Sequence, residues 1–136
     1  MTIEKQNDLL PSTKLIHSGT RRSQYGEMSE AIFLTQGFVY PDAEAAEERF
    51  KADDLGDNYI YARYGNPTVA MFEDRLASYE GAEAGFATAS GMAAVSGALL
   101  AQLKSGDHVV ASKALFGSCL YVLDVLLRRF GVDVTF

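Results

Sequence analysis

From Ala84 onward the chain alternates short apolar runs with longer segments of helical period, and no other feature restricts the fold so strongly. The run AGFATA leads into Ser90-Gly91 and the small-residue segment GMAAVSGALLAQLK, ended by Ser105-Gly106, which reads as strand, turn, helix. Asp107 to Ala111 predicts a second strand. Ser118 to Phe130 predicts a helix with Leu120, Leu123, Leu127 and Phe130 on one side, and Val132 to Phe136 a third strand. Strands and helices in that order make a mostly parallel sheet covered by helices, so the expected fold class is α/β. The last run, VDVTF, has no following helix or turn, whereas a strand of that composition requires neighbours on both edges and both faces. The expectation is a chain that stops inside its domain.

The first half reads differently. Residues 1 to about 40 show no sustained period and only the short apolar patch Ala31-Ile32-Phe33-Leu34, which predicts an extended arm that buries little against its own chain and orders on a partner subunit. Pro41 and Asp42 start a short acidic helix, and the following DDLGDNYIYARYGNPT reads as a loop. Thr68 can cap a second helix whose Val69, Phe72, Leu76 and Tyr79 share one face, with Gly81 as its stop. The organisation expected is therefore an arm with a short helix over 1–60 and the start of an α/β domain over 61–136.

Apolar residues make up 48% of the 136 residues and charged residues 22%, enough for a packed core. With 18 acidic against 12 basic residues and a net charge of −6, nucleic acid is a poor partner, because its affinity rests on neutralising phosphates. The single cysteine, Cys119, and two distant histidines give neither an internal disulfide nor metal-ligand spacing. MTIEKQNDLLPSTK lacks the apolar stretch of a signal peptide and no segment has the length of a bilayer span. A cytoplasmic, metal-free protein off the membrane is the simplest expectation.

Three places could carry chemistry. Ser90, Gly91 and Met92 lie between an apolar run and a helix start, where free amides attract anions and glycine permits close approach; a phosphate held by the backbone of Gly91 and Met92 with the Ser90 hydroxyl is one reading, a plain helix cap the other. Tyr61 and Arg63 stand two apart before a helix. In an extended segment both point one way and could grip one phosphate; the alternative is an exposed arginine beside packed tyrosines. Phe116 follows the second strand, near the strand ends where open α/β sheets bind ligands, and could stack on a flat ring or serve as a core aromatic. Neither Gly-x-Gly-x-x-Gly nor Gly-x-x-x-x-Gly-Lys-Ser/Thr occurs, which disfavours dinucleotide and ATP-type loops.

These segments occur in the same order as in the Cys/Met metabolism family of pyridoxal-phosphate enzymes, which the chain resembles through TKLIHSG (13–19), YARYGNPT (61–68), SGMAA (90–94), GDHVV (106–110) and Phe116-Gly117. The resemblance implies the first part of a fold type I, PLP-dependent transferase-like domain, a pyridoxal 5'-phosphate cofactor, and small-molecule substrates such as an O-acylhomoserine and sulfide, on the route to methionine. It implies that the amides of Gly91 and Met92, with Ser90, hold the cofactor phosphate and that Phe116 stacks on the pyridine ring. It also implies a homo-oligomer, a dimer or a tetramer built from such dimers, in which Tyr61 and Arg63 reach the phosphate of the neighbouring subunit. Most of the family's γ-synthases and γ-lyases have tyrosine where this chain has Phe116; phenylalanine there, with TQGFVYPDAEAAEERF and LFGSC, is most similar to the O-succinylhomoserine sulfhydrylase branch. Chemistry that used the missing phenol would need another donor. Cystathionine γ-synthase and γ-lyase remain alternatives, as does a non-catalytic fragment. The family's cofactor lysine matches no lysine here, neither Lys14 in Ser12-Thr13-Lys14 nor Lys104 or Lys113, so no catalytic residue is expected within these 136 residues.

Overall fold

The structure, a computed structural model, describes residues 9–52, 56 and 58–136. The expectations for the first eight residues, and for Asp53, Asp54, Leu55 and Asp57 of the loop, lie outside them. The chain divides into two compact units, one through Ala87 and one from Thr88 to Phe136.

In the first unit the arm is not featureless. Pro11 fixes the first helical position of α1 (Pro11–His17), a start that suits proline because that amide has no partner inside a helix. α1 packs on α3 (Pro67–Glu80), and Ser18 just beyond it is 1% exposed. Gly19, at φ 70°, lies so close to α3 that a Cβ there would stand 2.7 Å from the Met71 carbonyl oxygen and 2.9 Å from Asp74 Cβ. Polar anchors complete the junction. Arg75 Nε donates to the Ser18 carbonyl at 3.0 Å and its guanidinium pairs with Glu30, while Arg21 pairs with Asp74 at 2.9 Å. The arm still buries little, since no residue of α1 is buried and Leu15 and Ile16 are exposed, but residues 18–21 are tied to α3 through a close glycine and arginine contacts that leave no hydrophobic period to read. Beyond them the chain is extended, with Ile32, Leu34 and Val39 exposed.

The acidic helix α2 (Ala43–Lys51) starts where expected, with the Asp42 carboxylate accepting from the Ala45 amide at 2.7 Å. The cap of α3 is one place corrected. Asn66, not Thr68, occupies the N-cap position: its Oδ1 accepts from the Thr68 amide at 2.9 Å, and Thr68 Oγ1 instead accepts from the Phe33 amide at 2.9 Å. The face shared by Val69, Phe72, Leu76 and Tyr79 is exposed, while Pro67, Met71 and Ala77 are buried. The side turned toward the arm is the one bearing Met71, Arg75 and Ser78, chosen by fit to Ser18 and Gly19 and not by hydrophobicity. Gly81 ends the helix in the left-handed conformation, as expected.

AGFATA is not a strand. The Ala87 amide donates to Glu73 Oε1 at 2.6 Å, and no ladder partner lies beside the run among the described residues.

The second unit is a small α/β layer. α4 (Gly91–Gln102) is followed by β1 (His108–Val110), the short α5 (Gly117–Tyr121) and β2 (Asp133–Thr135). β1 and β2 pair in parallel with Val109 opposite Val134. Their shared face carries Val109 and Val134 onto Leu123, Leu127 and Val132, with Leu99, Leu103, Ala111 and Phe136 around them; Leu127 is 0% exposed. After Tyr121 the helix widens into a π-helical stretch, Val122–Leu127. That shift buries Val122, Leu123 and Leu127 together, and the predicted fourth member of the stripe, Phe130, ends up exposed in the turn before Gly131. α4 is apolar around its whole circumference, yet none of its residues is buried. Helices of that kind sit inside larger proteins. Among the described residues, no helix is long and apolar enough to cross a membrane, and no group of three metal-ligating side chains exists.

Candidate functional site

Ser90 is the N-cap of α4: in extended conformation, its Oγ accepts from the Ala93 amide at 3.1 Å, while its carbonyl accepts from Ala94 at 3.0 Å. The cap reading is therefore satisfied, and the hydroxyl proton remains free to donate elsewhere. Among the described residues no acceptor engages the amides of Gly91 and Met92, the first two of a twelve-residue helix. Such amides carry the positive end of the helix dipole. Gly91 has no positive φ, and a Cβ on it would meet nothing within 4 Å, so neither backbone conformation nor packing within the chain calls for glycine there.

Tyr61 and Arg63 do not lie on an extended segment. Tyr61 makes a single antiparallel bridge to Gly37, with the Ala62 amide donating to the Gln36 carbonyl at 2.9 Å; the chain then turns, the amides of Tyr64 and Gly65 both donating to the Tyr61 carbonyl at 2.8 and 3.2 Å. The turn still brings the two side chains together, the Arg63 guanidinium carbon lying 5.8 Å from the Tyr61 ring centre. Tyr61 is exposed, not packed, and so is Arg63. Asn66 holds this turn against the arm, its Nδ2 donating to the Phe33 carbonyl at 3.0 Å. The sequence reading missed Asn66; its signal was the Asn-Pro pair, a cap followed by a proline at the first helical position.

Phe116 immediately precedes α5 and is 72% exposed, which removes the core-aromatic reading within this chain. α5 packs on α4, but no hydrogen bond or ring contact links Phe116 to Ser90, Gly91 or Met92 among the described residues. Of the lysines considered, Lys14 is half-buried in α1, while Lys104 and Lys113 are exposed.

Chemically, the second unit offers two unengaged amides and a hydroxyl at a helix start together with an exposed phenyl ring, and the first offers an exposed guanidinium between phenols. Both sets suit an anion, and the ring suits a flat partner.

A model of the Cys/Met metabolism PLP-dependent enzyme family matches residues 12–136. The O-succinylhomoserine sulfhydrylase of Mycobacterium tuberculosis is 52% identical over 121 residues, which cover 89% of this chain and 29% of that protein. The L-methionine gamma-lyase of Fusobacterium nucleatum is 44% identical over 124 residues, covering 91% and 31%. Among solved structures, metY from Campylobacter jejuni, which carries N'-pyridoxyl-lysine-5'-monophosphate, is similar with a TM-score of 0.86 at 30% identity, over 93% of this chain and 31% of that one. The chain thus spans about three tenths of the length of the relatives it matches.

Proposed function

Because the chain belongs to the Cys/Met metabolism family of PLP-dependent enzymes, we propose that it supplies the cofactor-phosphate residues of an O-succinylhomoserine sulfhydrylase, which makes homocysteine from O-succinylhomoserine and sulfide. In that reaction the Cγ–O bond breaks, succinate leaves, and sulfide sulfur bonds to Cγ. The observation that carries the cofactor assignment is the pair of unengaged amides at Gly91 and Met92, beside a Gly91 on which a Cβ would meet nothing within 4 Å. The reaction assignment is supported by the 52% identity to the Mycobacterium tuberculosis sulfhydrylase and by Phe116 in place of a phenol.

The residues present fit the group. The amides of Gly91 and Met92 would hold the phosphate oxygens, the Ser90 hydroxyl would add a third donor without releasing Ala93, and Phe116 would cover a ring face. Tyr61 and Arg63 serve the phosphate held by a second copy of the protein, which makes a homo-oligomer the working form. When bound, pyridoxal phosphate supplies a conjugated electron sink for bond changes at the amino-acid carbons. The chain's own contribution is to fix the anionic end of that group with preorganised donors, which hold position without reorganising. The lysine that links the cofactor is none of Lys14, Lys104 and Lys113.

The test is an assay of the complete protein with O-succinylhomoserine and either sulfide or cysteine. Homocysteine from sulfide is expected. Cystathionine as the main product would move the assignment to a γ-synthase, and release of methanethiol from methionine would move it to the lyase.

A further inference from the structure

In the first unit Arg21 and Arg75 each pair with a carboxylate, whereas among the described residues Arg63 pairs with none, and neither does Arg49, which lies over the Tyr40 ring and donates to the Tyr59 carbonyl. What Arg63 has instead is aromatic. The guanidinium carbon lies 4.7 Å from the centre of the Tyr64 ring and 5.8 Å from that of Tyr61. The turn produces this arrangement: with the amides of Tyr64 and Gly65 both closed onto the Tyr61 carbonyl, residues 61 and 64 flank residue 63. Tyr64 is 64% exposed and belongs to no core, and besides the ring contact its hydroxyl accepts from Arg63 Nη2 at 3.5 Å, the long limit of a hydrogen bond.

We propose that Tyr64 is a positioning residue whose ring stacks on the Arg63 guanidinium and holds it ready for a phosphate; this rests on the reading of Arg63 as a phosphate ligand. A carboxylate partner would fix the arginine equally well but would occupy the N–H edge that a phosphate must use. A ring takes the face of the guanidinium and leaves its in-plane N–H donors available, apart from the one in long contact with the Tyr64 hydroxyl. Stacking also removes rotamer freedom before the anion arrives, so less is lost on binding.

The test is a titration of the 136-residue chain with inorganic phosphate, followed through the Arg63 Nε–Hε resonance and, for a variant lacking Arg63, through the Tyr64 amide. Tyr64→Leu should shift the free Arg63 side-chain signals downfield by removing the ring current and should weaken phosphate about two- to fivefold, the size of an exposed cation–π contact. Tyr64→Phe should keep both the shift and the affinity. The Thr68 amide, bonded to Asn66, reports that the turn is intact in every variant. Arg63→Ala separates the two layers. If it leaves phosphate affinity unchanged, the phosphate reading falls and this proposal with it. If Arg63→Ala weakens binding but Tyr64→Leu does not, the positioning role alone is overturned. A Tyr64→Phe variant as weak as Tyr64→Leu would likewise overturn stacking, by assigning the effect to the hydroxyl.

Discussion

Replacing Gly19 by alanine should dislodge the arm from α3, and the cost can be worked from two separate terms. Gly19 has φ 70°, a region that charges an L-residue about 1–2 kcal/mol. The added Cβ would also stand 2.7 Å from the Met71 carbonyl oxygen, 2.9 Å from Asp74 Cβ and 3.1 Å from the Arg75 nitrogen. Two of those three atoms are backbone of a helix and cannot rotate away, so overpacking adds about 1–3 kcal/mol. The sum, about 2–5 kcal/mol, is set against Gly26→Ala, where φ is 64° and nothing lies within 4 Å of the new carbon. That control isolates the backbone term, about 1–2 kcal/mol, and confines it to its own loop. Hydrogen exchange of peptides spanning Pro67–Glu80, read by mass spectrometry, is the assay. Gly19→Ala should speed exchange there by about thirtyfold or more, since about 1.4 kcal/mol is a factor of ten, and Gly26→Ala should leave it nearly unchanged. Equal, small effects from both variants would refute the close docking of Gly19 on α3.

Four other outcomes are expected. The Glu27 carboxyl is held below the usual carboxylate range, first by the Ser23 hydroxyl at 2.6 Å and then by the Ser23 amide at 2.8 Å. Its contribution to stability is complete above the ordinary glutamate pKa and is lost as pH falls through the lowered value; in an NMR titration Ser23→Ala should raise the Glu27 midpoint toward normal, and no change would discount the hydroxyl. Ser90→Ala should cost the start of α4 about 1 kcal/mol and Ser90→Gly only a few tenths, read as faster exchange of the Ala93 amide. Because α4 is apolar all round and unburied, the isolated chain should bind a hydrophobic dye and self-associate with concentration in sedimentation; a sharp monomeric melt without dye binding would contradict this. Borohydride treatment of the chain with pyridoxal phosphate should fix no adduct at one specific lysine, and stoichiometric labelling of Lys14, Lys104 or Lys113 would contradict the assignment of the cofactor lysine elsewhere.

What could be read from residues alone follows from the range of the forces involved. Capping and turn chemistry act over three or four positions, so Asp42, Gly81 and the Ser90 cap were legible. So was the pairing of β1 with β2, because apolar runs around a helix leave few alternatives. AGFATA failed as a strand because a ladder depends on a neighbour, and Glu73 captured the Ala87 amide instead. The apolar face of α3 was legible, but not the surface that the chain's own arm selects through Gly19 and Arg75, which hydrophobic period does not name. At the candidate site the Ser90 helix start was legible, while the turn that puts Arg63 against Tyr64 was not, since its spacing reads equally as an extended segment.

The wide turn over Val122–Leu127 has a consequence for tolerance to change. One surplus residue in a helix rotates everything on one side of it by about 100° relative to the other. The leading end, which presents Phe116 outward, and the trailing end, which seats Leu127 beneath the sheet, are therefore out of phase and free to vary separately. Excising a single residue from this stretch would restore a regular spiral and swing Leu127 toward water, whereas resizing the aromatic at position 116 would leave the seat untouched. The exposed end can in this way drift in sequence without loosening the foundation at the other.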